Sequence, residues 1–142
     1  MASLIDSLSG TRGIIGDTLH PNIPLKIAMA FGQYLGDGPV IVGGDTRVSH
    51  EMVKNLVISG LVSVGKDIID IGKVPTPTVQ QMIRYYEAAG GIVITASHNP
   101  IMWNGLKLMN SSGSFLDDTE YQQYQAIREK QEDNLEIGRA HV

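Results

Sequence analysis

Hydrophobic residues along this chain recur at two spacings, one typical of helices and the other typical of buried strands. Apolar side chains three and four positions apart predict amphipathic helices. Three helices are predicted in this way, at 24–35, 49–64 and 76–86. Short runs rich in valine and isoleucine predict strands instead. Four strands are predicted, at 40–42, 68–71, 91–95 and 105–109.

The order of these elements decides the fold class. Because helices lie between strands, at least part of the sheet is expected to be parallel. The sequence predicts an α/β domain with three layers, α/β/α, around a mixed, mostly parallel sheet of about four strands. The last of these strands, 105–109, is expected at an edge of the sheet, and the segment 4–15 fits either a strand or a loop.

The end of the chain is more polar than the rest. Asp117 and Glu120 have the spacing of a capping box, which predicts a final helix over about 118–131. The segment 132–142 is polar and without clear periodicity, so it is expected to be a tail or the start of an interdomain linker. The domain itself is therefore predicted to occupy 1–131.

Composition narrows the classes of protein to which the chain can belong. Its 142 residues suit one ordinary domain, and 42% hydrophobic with 18% charged residues predict a packed core. A net charge of −4 without a basic cluster argues against nucleic-acid binding. No apolar run is long enough to span a membrane, and the first residues do not form a signal peptide. The absence of cysteine excludes disulfides and thiolate sites, and together these features predict a cytoplasmic protein that binds neither nucleic acid nor membrane.

The hexapeptide Thr-Ala-Ser-His-Asn-Pro at 95–100 carries the strongest functional signal. Its serine, Ser97, directly follows a predicted buried strand, where open α/β sheets place their ligands. Pro100 prevents the chain from continuing as a strand or a helix, so the serine is displayed on a loop. Ser97 is therefore a candidate nucleophile or phosphate carrier, although a simple turn is the commoner explanation for an isolated Ser-His pair.

Ser97 is compatible with two functions, that of a serine hydrolase nucleophile and that of a phosphate carrier. A serine hydrolase needs a nucleophile elbow, but no glycine flanks Ser97, and neighbouring side chains such as Ser97 and His98 seldom face each other as nucleophile and base. A phosphate carrier needs cations and a group that accepts protons, and Lys107 lies just beyond the loop. Taken alone, Lys107 is more often a solvated lysine of an edge strand.

Two glycine-rich turns supply further candidates. The segment 9–13 surrounds Arg12 with glycines, which would let the backbone and the guanidinium approach a phosphate closely. The segment 43–47 follows a strand and carries Asp45 and Arg47, which we expect to pair with each other and to brace the loop behind the site. The remaining histidines have no ligand-like neighbours and are expected at the surface or as capping residues; they are His20, His50 and His141.

Taken together, these motifs resemble the first domain of the α-D-phosphohexomutases, the phosphoglucomutase/phosphomannomutase family. Each motif is weak alone, but they occur in the family's order and cover the chain up to the last helix. The hexapeptide followed by Asn-Gly-Leu-Lys is the most specific part of the match. The matching stretches are 9–13, 44–49, 95–100 and 104–107.

The resemblance implies reversible transfer of phosphate between the 1- and 6-positions of a hexose, through a hexose 1,6-bisphosphate. It implies that Ser97 carries the phosphate and that a Mg²⁺ ion binds through it. The implied catalytic residues are Ser97, Lys107 as general base, Arg12 assisting it and His98. The implied substrate contacts are Thr11, Asn99 and Asn104, with Asp45 and Arg47 supporting the loop behind them.

The chain also departs from the family, whose enzymes have four domains. The family's metal loop, sugar-selecting loop and final phosphate loop are not found after Met109. We therefore expect a fragment without domains II–IV and without measurable mutase activity alone. Glucose, mannose and glucosamine phosphates remain open as substrates. The alternatives are a phosphoglucosamine mutase domain and a non-catalytic module that binds sugar phosphates.

Overall fold

The computed structural model describes residues 4–140, and it describes side chains as far as Gln131; His141 lies outside this range. After an initial hairpin, helices and strands alternate as far as β5, as the hydrophobic pattern predicts, and β6 then follows β5 without a helix. The strands are β1 Ile5–Ser7, β2 Gly10–Ile14, β3 Val40–Gly44, β4 Ile68–Lys73, β5 Gly90–Ile94 and β6 Trp103–Met109. The helices are α1 Asn22–Tyr34, α2 His50–Ser63, α3 Thr76–Tyr85 and α4 Asp118–Ala140.

The six strands form one mixed sheet in the order β1-β2-β6-β5-β3-β4. The α/β class and the mixed sheet are confirmed, but the predicted number of about four strands is wrong. The sheet is also not mostly parallel, because β3 pairs in parallel with β4 and β5 whereas the other three pairings are antiparallel. The segment 4–15 accounts for the extra strands, since it folds into the β1–β2 hairpin.

Strand β6 lies inside the sheet, so its predicted place at an edge is wrong. It pairs on one side with β5 and on the other with β2. The hairpin thus completes the sheet beyond β6, a non-local pairing that the weak hydrophobicity of Gly10–Ile14 does not reveal. As a consequence, β2 lies beside β6, which is distant from it in sequence.

Helices cover both faces of the sheet, which gives the predicted three layers. Because side chains alternate along a strand, Val40 and Val42 point to one face and Ile41 to the other. Helices α1, α2 and α4 pack on the first face, and α3 packs against β3 and β5 on the second. Arg12 and Lys107 lie on the second face, on β2 and β6, and remain half-buried.

Helix α4 begins with the predicted capping box. The backbone N–H of Glu120 donates to Asp117 Oδ1 at 2.8 Å, and the Asp117 N–H donates to Glu120 Oε1 at 3.1 Å. The helix does not end near Gln131 but continues to Ala140, so part of the segment expected as a tail is helical. Over 4–140, no helix is long and apolar enough to cross a membrane.

His50 is buried, so its expected place at the surface is wrong. It is the first residue of α2, and its ring packs on the backbone of Gly44, where a Cβ atom would come within 2.8 Å of the ring. Neither ring nitrogen has a hydrogen-bond partner within the described part of the chain. Burial is the main cause that lowers the pKa of His50, and the ammonium groups of Lys54 and Lys73 also lower it.

This lowered pKa predicts a loss of stability in mild acid. As pH falls below the unfolded value of about 6.5, the unfolded chain binds a proton at this position and the folded chain does not. The free energy of unfolding should therefore fall by up to about 1.4 kcal/mol per pH unit from this group alone. Urea unfolding at several pH values between about 5.5 and 7.5 measures this slope.

His50→Leu should flatten the slope, and His20→Leu at an exposed position is the matched control that should leave it unchanged. An equal slope in wild type and His50→Leu would show that His50 is not the titrating group.

Candidate active site

The serine at the centre of the hexapeptide is exposed on the loop after β5 and has an unusual backbone conformation. Its φ angle is 55°, in the left-handed region that residues with a side chain rarely adopt. The Ser97 N–H donates to Thr95 Oγ1 at 3.0 Å, and a turn closes where the Asn99 N–H donates to the carbonyl of Ala96 at 3.1 Å. Such strained residues persist only where the surrounding structure holds them.

Lys107 is the direct partner of this serine. Its Nζ donates to Ser97 Oγ at 2.8 Å from the neighbouring strand β6. The lysine stem runs beside Gly10, where an added Cβ would lie 3.1 Å from Lys107 Cγ. The packing of β2 against β6 therefore directs the amine towards the serine.

The surroundings of Lys107 favour its neutral form. Burial lowers the pKa of the amine, and the nearby positive charge of Arg12 lowers it further. The ring of Phe115, which is partly exposed, has its centroid 5.6 Å from Nζ. An amine with a lowered pKa is neutral more often near neutral pH, and only the neutral form can accept a proton as a general base.

Arg12 reaches the same loop from β2. Its Nη1 donates to Asn99 Oδ1 at 3.0 Å, while its Nε is buried without a partner among residues 4–131. Arg12 pairs with Gly105 of β6, and a side chain at Gly105 would collide with the arginine, since a Cβ there would be 2.8 Å from Arg12 Cγ.

Within the described side chains, neither Arg12 nor Lys107 forms an ion pair with a carboxylate. Two cations thus lie close to an exposed serine with no anion of the described chain to balance them. A phosphate dianion is the kind of group that would balance them.

Asp45 and Arg47 lie behind the loop and pair with each other. Arg47 Nε donates to Asp45 Oδ2 at 3.2 Å, and the Thr95 hydroxyl donates to the same oxygen at 2.9 Å. The remaining guanidinium nitrogens donate to four backbone carbonyls, three in the serine loop between β5 and β6 and one on the first residue of β6. These belong to Ser97 and Asn99, both at 2.9 Å, Pro100 at 2.7 Å and Trp103 at 3.0 Å.

Two residues expected to contact substrate lie inside the protein. Asn104 is fully buried; its Nδ2 donates to Ser49 Oγ at 2.8 Å and its Oδ1 accepts the Gly105 N–H at 2.8 Å. Thr11 is 6% exposed, and its hydroxyl donates to Asp6 Oδ1 at 2.8 Å. The alternation of side chains along the strands points both residues away from the serine loop, so they stabilise the sheet around it.

The other sequence candidates lie at the loop. His98 is exposed beside Ser97, and Asn99 holds Arg12. Phe115 is a neighbour of Lys107 that the sequence did not reveal, because it stands in a polar turn with no periodicity. In the sequence, the only indication of this contact was that an aromatic residue follows the serine-rich turn 110–114.

The described side chains do not by themselves build a metal centre. No three histidine or carboxylate side chains converge within this part of the chain. Both oxygens of Asp45, the carboxylate behind the loop, already accept hydrogen bonds. A Mg²⁺ ion would thus find only oxygens of a phosphate on Ser97, and magnesium prefers more oxygen ligands than that.

Comparison with known proteins identifies relatives of one kind. Residues 6–135 match the family model described as phosphoglucomutase/phosphomannomutase, alpha/beta/alpha domain I. A probable phosphoglucosamine mutase of Pyrococcus horikoshii is 46% identical over 80% of this chain and 26% of its own length. A phosphoglucomutase/phosphomannomutase of Thermococcus kodakarensis is 50% identical over 75% of this chain and 25% of its own length.

Solved structures agree with these relatives. A crystal structure from Thermus thermophilus, of a protein provisionally named a phosphomannomutase, superposes with a TM-score of 0.80 at 31% identity. The superposition covers 89% of this chain and 30% of that one. The chain therefore spans about a quarter to a third of the length of the proteins that it matches.

The close approach of β2 and β6 predicts that Gly105 tolerates no side chain. In Gly105→Ala the new Cβ would meet the Thr11 carbonyl oxygen at 2.2 Å and Arg12 Cγ at 2.8 Å. We expect the free energy of unfolding to fall by about 2 kcal/mol, measured by urea denaturation. Gly36→Ala is the matched control, because its Cβ would meet no atom within 4 Å. Equal stability of the two variants would contradict the crowding argument.

The positive charge of Arg12 near Lys107 predicts how Lys107 titrates. Arg12→Gln removes a neighbouring positive charge, so the pKa of Lys107 should rise towards its usual value. Titration of the ¹⁵N-labelled or dimethylated amine by NMR measures this shift. Arg84→Gln, at an exposed arginine of α3, should leave the pKa unchanged; a similar rise in both variants would mean that Arg12 exerts no specific effect.

Proposed function

This chain belongs to the phosphoglucomutase/phosphomannomutase family as its first domain, and on that basis we propose that it carries the phosphate that such an enzyme moves between the 1- and 6-positions of a hexose. The contact between Lys107 Nζ and Ser97 Oγ carries the proposal. It joins an exposed serine to an amine whose pKa is lowered by burial and by Arg12. Phosphate transfer through a serine needs both groups.

In the proposed reaction, phosphoserine 97 is the donor and a sugar hydroxyl is the acceptor. The hydroxyl oxygen forms a bond to phosphorus, and the bond between phosphorus and Ser97 Oγ breaks. Neutral Lys107 takes the hydroxyl proton and passes it to Ser97 Oγ, which leaves as a hydroxyl group. The second half of the cycle reverses these steps at the other position of the hexose 1,6-bisphosphate, so charge and protons balance over the cycle.

Arg12 supports this chemistry by charge. Its guanidinium reaches the loop through Nη1, which brings a positive charge close to Ser97, where a phosphate would be attracted to it. Asn99 orients it through Nη1. We assign Arg12 to binding the phosphate during transfer, and we assign His98 and Asn99 to the rim of the same site.

Mg²⁺ enters the proposal only as a partner of the phosphate. Bound to oxygens of a phosphate on Ser97, the ion would supply positive charge that offsets charge repulsion during transfer. Its other ligands, and the groups that select the sugar, are proposed to come from domains II–IV of a longer protein. For this reason the chain alone is proposed to lack mutase turnover, and its proposed location is the cytoplasm.

Two substrate classes are compatible with the relatives. A hexose phosphate of the glucose or mannose type is the first, and a glucosamine phosphate is the second. Both kinds of name occur among the relatives, since a protein 46% identical is named a probable phosphoglucosamine mutase and one 50% identical is named a phosphoglucomutase/phosphomannomutase. The choice between them is proposed to lie in a loop outside this chain.

Intact-mass spectrometry tests the proposed carrier. Purified chain incubated with glucose 1,6-bisphosphate, or in a parallel sample with glucosamine 1,6-bisphosphate, should gain one phosphoryl group on Ser97. Ser97→Ala should not gain it, and Ser111→Ala, at an exposed serine away from the loop, should gain it as wild type does. A serine that stays unmodified with both donors would favour a non-catalytic module that binds sugar phosphates. Labelling by a fluorophosphonate would instead favour a hydrolase.

A further inference from the structure

The serine loop folds around a single positive charge that does not face the reacting groups. Three of its backbone carbonyl oxygens, and that of Trp103 at the start of β6, lie within 3.0 Å of the two terminal nitrogens of Arg47. Carbonyls of one short loop rarely converge without a cation or a set of donors between them, because their dipoles repel one another. The planar guanidinium fits this arrangement, since each terminal nitrogen directs two N–H groups.

Arg47 is itself fixed before it reaches the loop. Asp45 binds Nε at 3.2 Å and accepts the Arg47 backbone N–H on its other oxygen at 3.2 Å. Only 11% of the Arg47 side chain is exposed. The guanidinium therefore has little freedom, and its position defines where the carbonyls must lie.

The same network ends at the unusual backbone of Ser97. Asp45 Oδ2 accepts the Thr95 hydroxyl, and Thr95 Oγ1 accepts the Ser97 N–H at 3.0 Å. Arg47 Nη2 holds the Ser97 carbonyl at 2.9 Å. Both peptide groups of Ser97 are thus held, one on each side of its left-handed φ angle of 55°.

That conformation decides whether the serine meets its amine. Side-chain direction follows from the backbone angles, so a relaxed Ser97 would point its Oγ elsewhere. We propose that Arg47 is the positioning residue of this site, which holds Ser97 in its left-handed conformation and thereby creates the contact between Ser97 Oγ and Lys107 Nζ. The consequence for phosphate transfer rests on the function proposed above, whereas the contact itself does not.

Removal of the guanidinium tests the proposal. In Arg47→Ala, phosphorylation of Ser97 by glucose 1,6-bisphosphate should slow by about 100-fold, the size of effect that a misplaced reacting group produces. Arg47→Lys should recover little of this loss, because one ammonium cannot reach four carbonyls in a plane. Guanidinium ion at millimolar concentration should restore at least part of the rate of Arg47→Ala, and methylammonium should not.

A second readout does not depend on catalysis. Without the serine contact the Lys107 amine becomes more solvated, so its NMR titration should shift to higher pH in Arg47→Ala and return when guanidinium is added. Arg84→Ala is the matched control, since Arg84 donates to only one loop carbonyl, that of Ser112. It should change neither the rate nor the Lys107 titration.

The outcomes separate the two proposals. If wild type takes up no phosphate but the Lys107 titration responds as described, the proposed function fails and the role of Arg47 stands. If the titration and the rate of Arg47→Ala match wild type, the role of Arg47 is overturned. If Arg47→Ala does not fold, the same comparison is made with Arg47→Lys, and wild-type behaviour there overturns the proposal.

Discussion

The pairing of β6 with β5 on one side and β2 on the other is the constraint on which both the sheet and the site depend. Along β6, Lys107 stands opposite Val93 of β5, and Gly105 stands opposite Arg12 of β2. Because Ser97 follows β5 directly, the two registers bring serine, amine and guanidinium to one face. A shift of either register by one residue would turn Lys107 or Arg12 to the other face of the sheet. Strand pairing thus places the amine and the guanidinium, and the loop conformation places the serine against them.

On this face of the sheet, two positive side chains lack a carboxylate partner among the described residues, whereas cations in structural ion pairs have one. Lys54 and Arg128 bind carboxylates, whereas Arg12 and Lys107 bind an amide oxygen and a hydroxyl oxygen. Burial is the main cause that lowers the pKa of Lys107, and repulsion between the two neighbouring cations lowers it further. A protein retains such an arrangement where function uses it, and an incoming phosphate relieves the repulsion. Under the proposed function, burial and this repulsion favour neutral Lys107 before a phosphate is bound.

The sequence predicted those features that depend on local pattern. Helical periodicity located α1, α2 and α3, the capping box located the start of α4, and the hexapeptide located the serine loop. The features that it missed depend on long-range packing. Gly10–Ile14 has no run of β-branched residues, so neither the hairpin nor the interior place of β6 was visible. The burial of His50 follows from the missing side chain of Gly44 on another element, and no spacing along the chain encodes that contact.

The rigid placement of Ser97 and Lys107 on this domain, apart from the proposed sugar-binding groups on other domains, has a chemical reason. Proton transfer between Ser97 Oγ and Lys107 Nζ requires a separation held to within a few tenths of an ångström, and the two groups lie 2.8 Å apart on adjoining strands of one sheet. Arg47 extends that rigidity from the sheet into the loop. Under the proposed function, a sugar bisphosphate that presents first one end and then the other would need room to turn, which a site closed within one small domain would not provide. A serine and its amine held rigidly on one domain, with sugar recognition proposed on others, would satisfy both requirements.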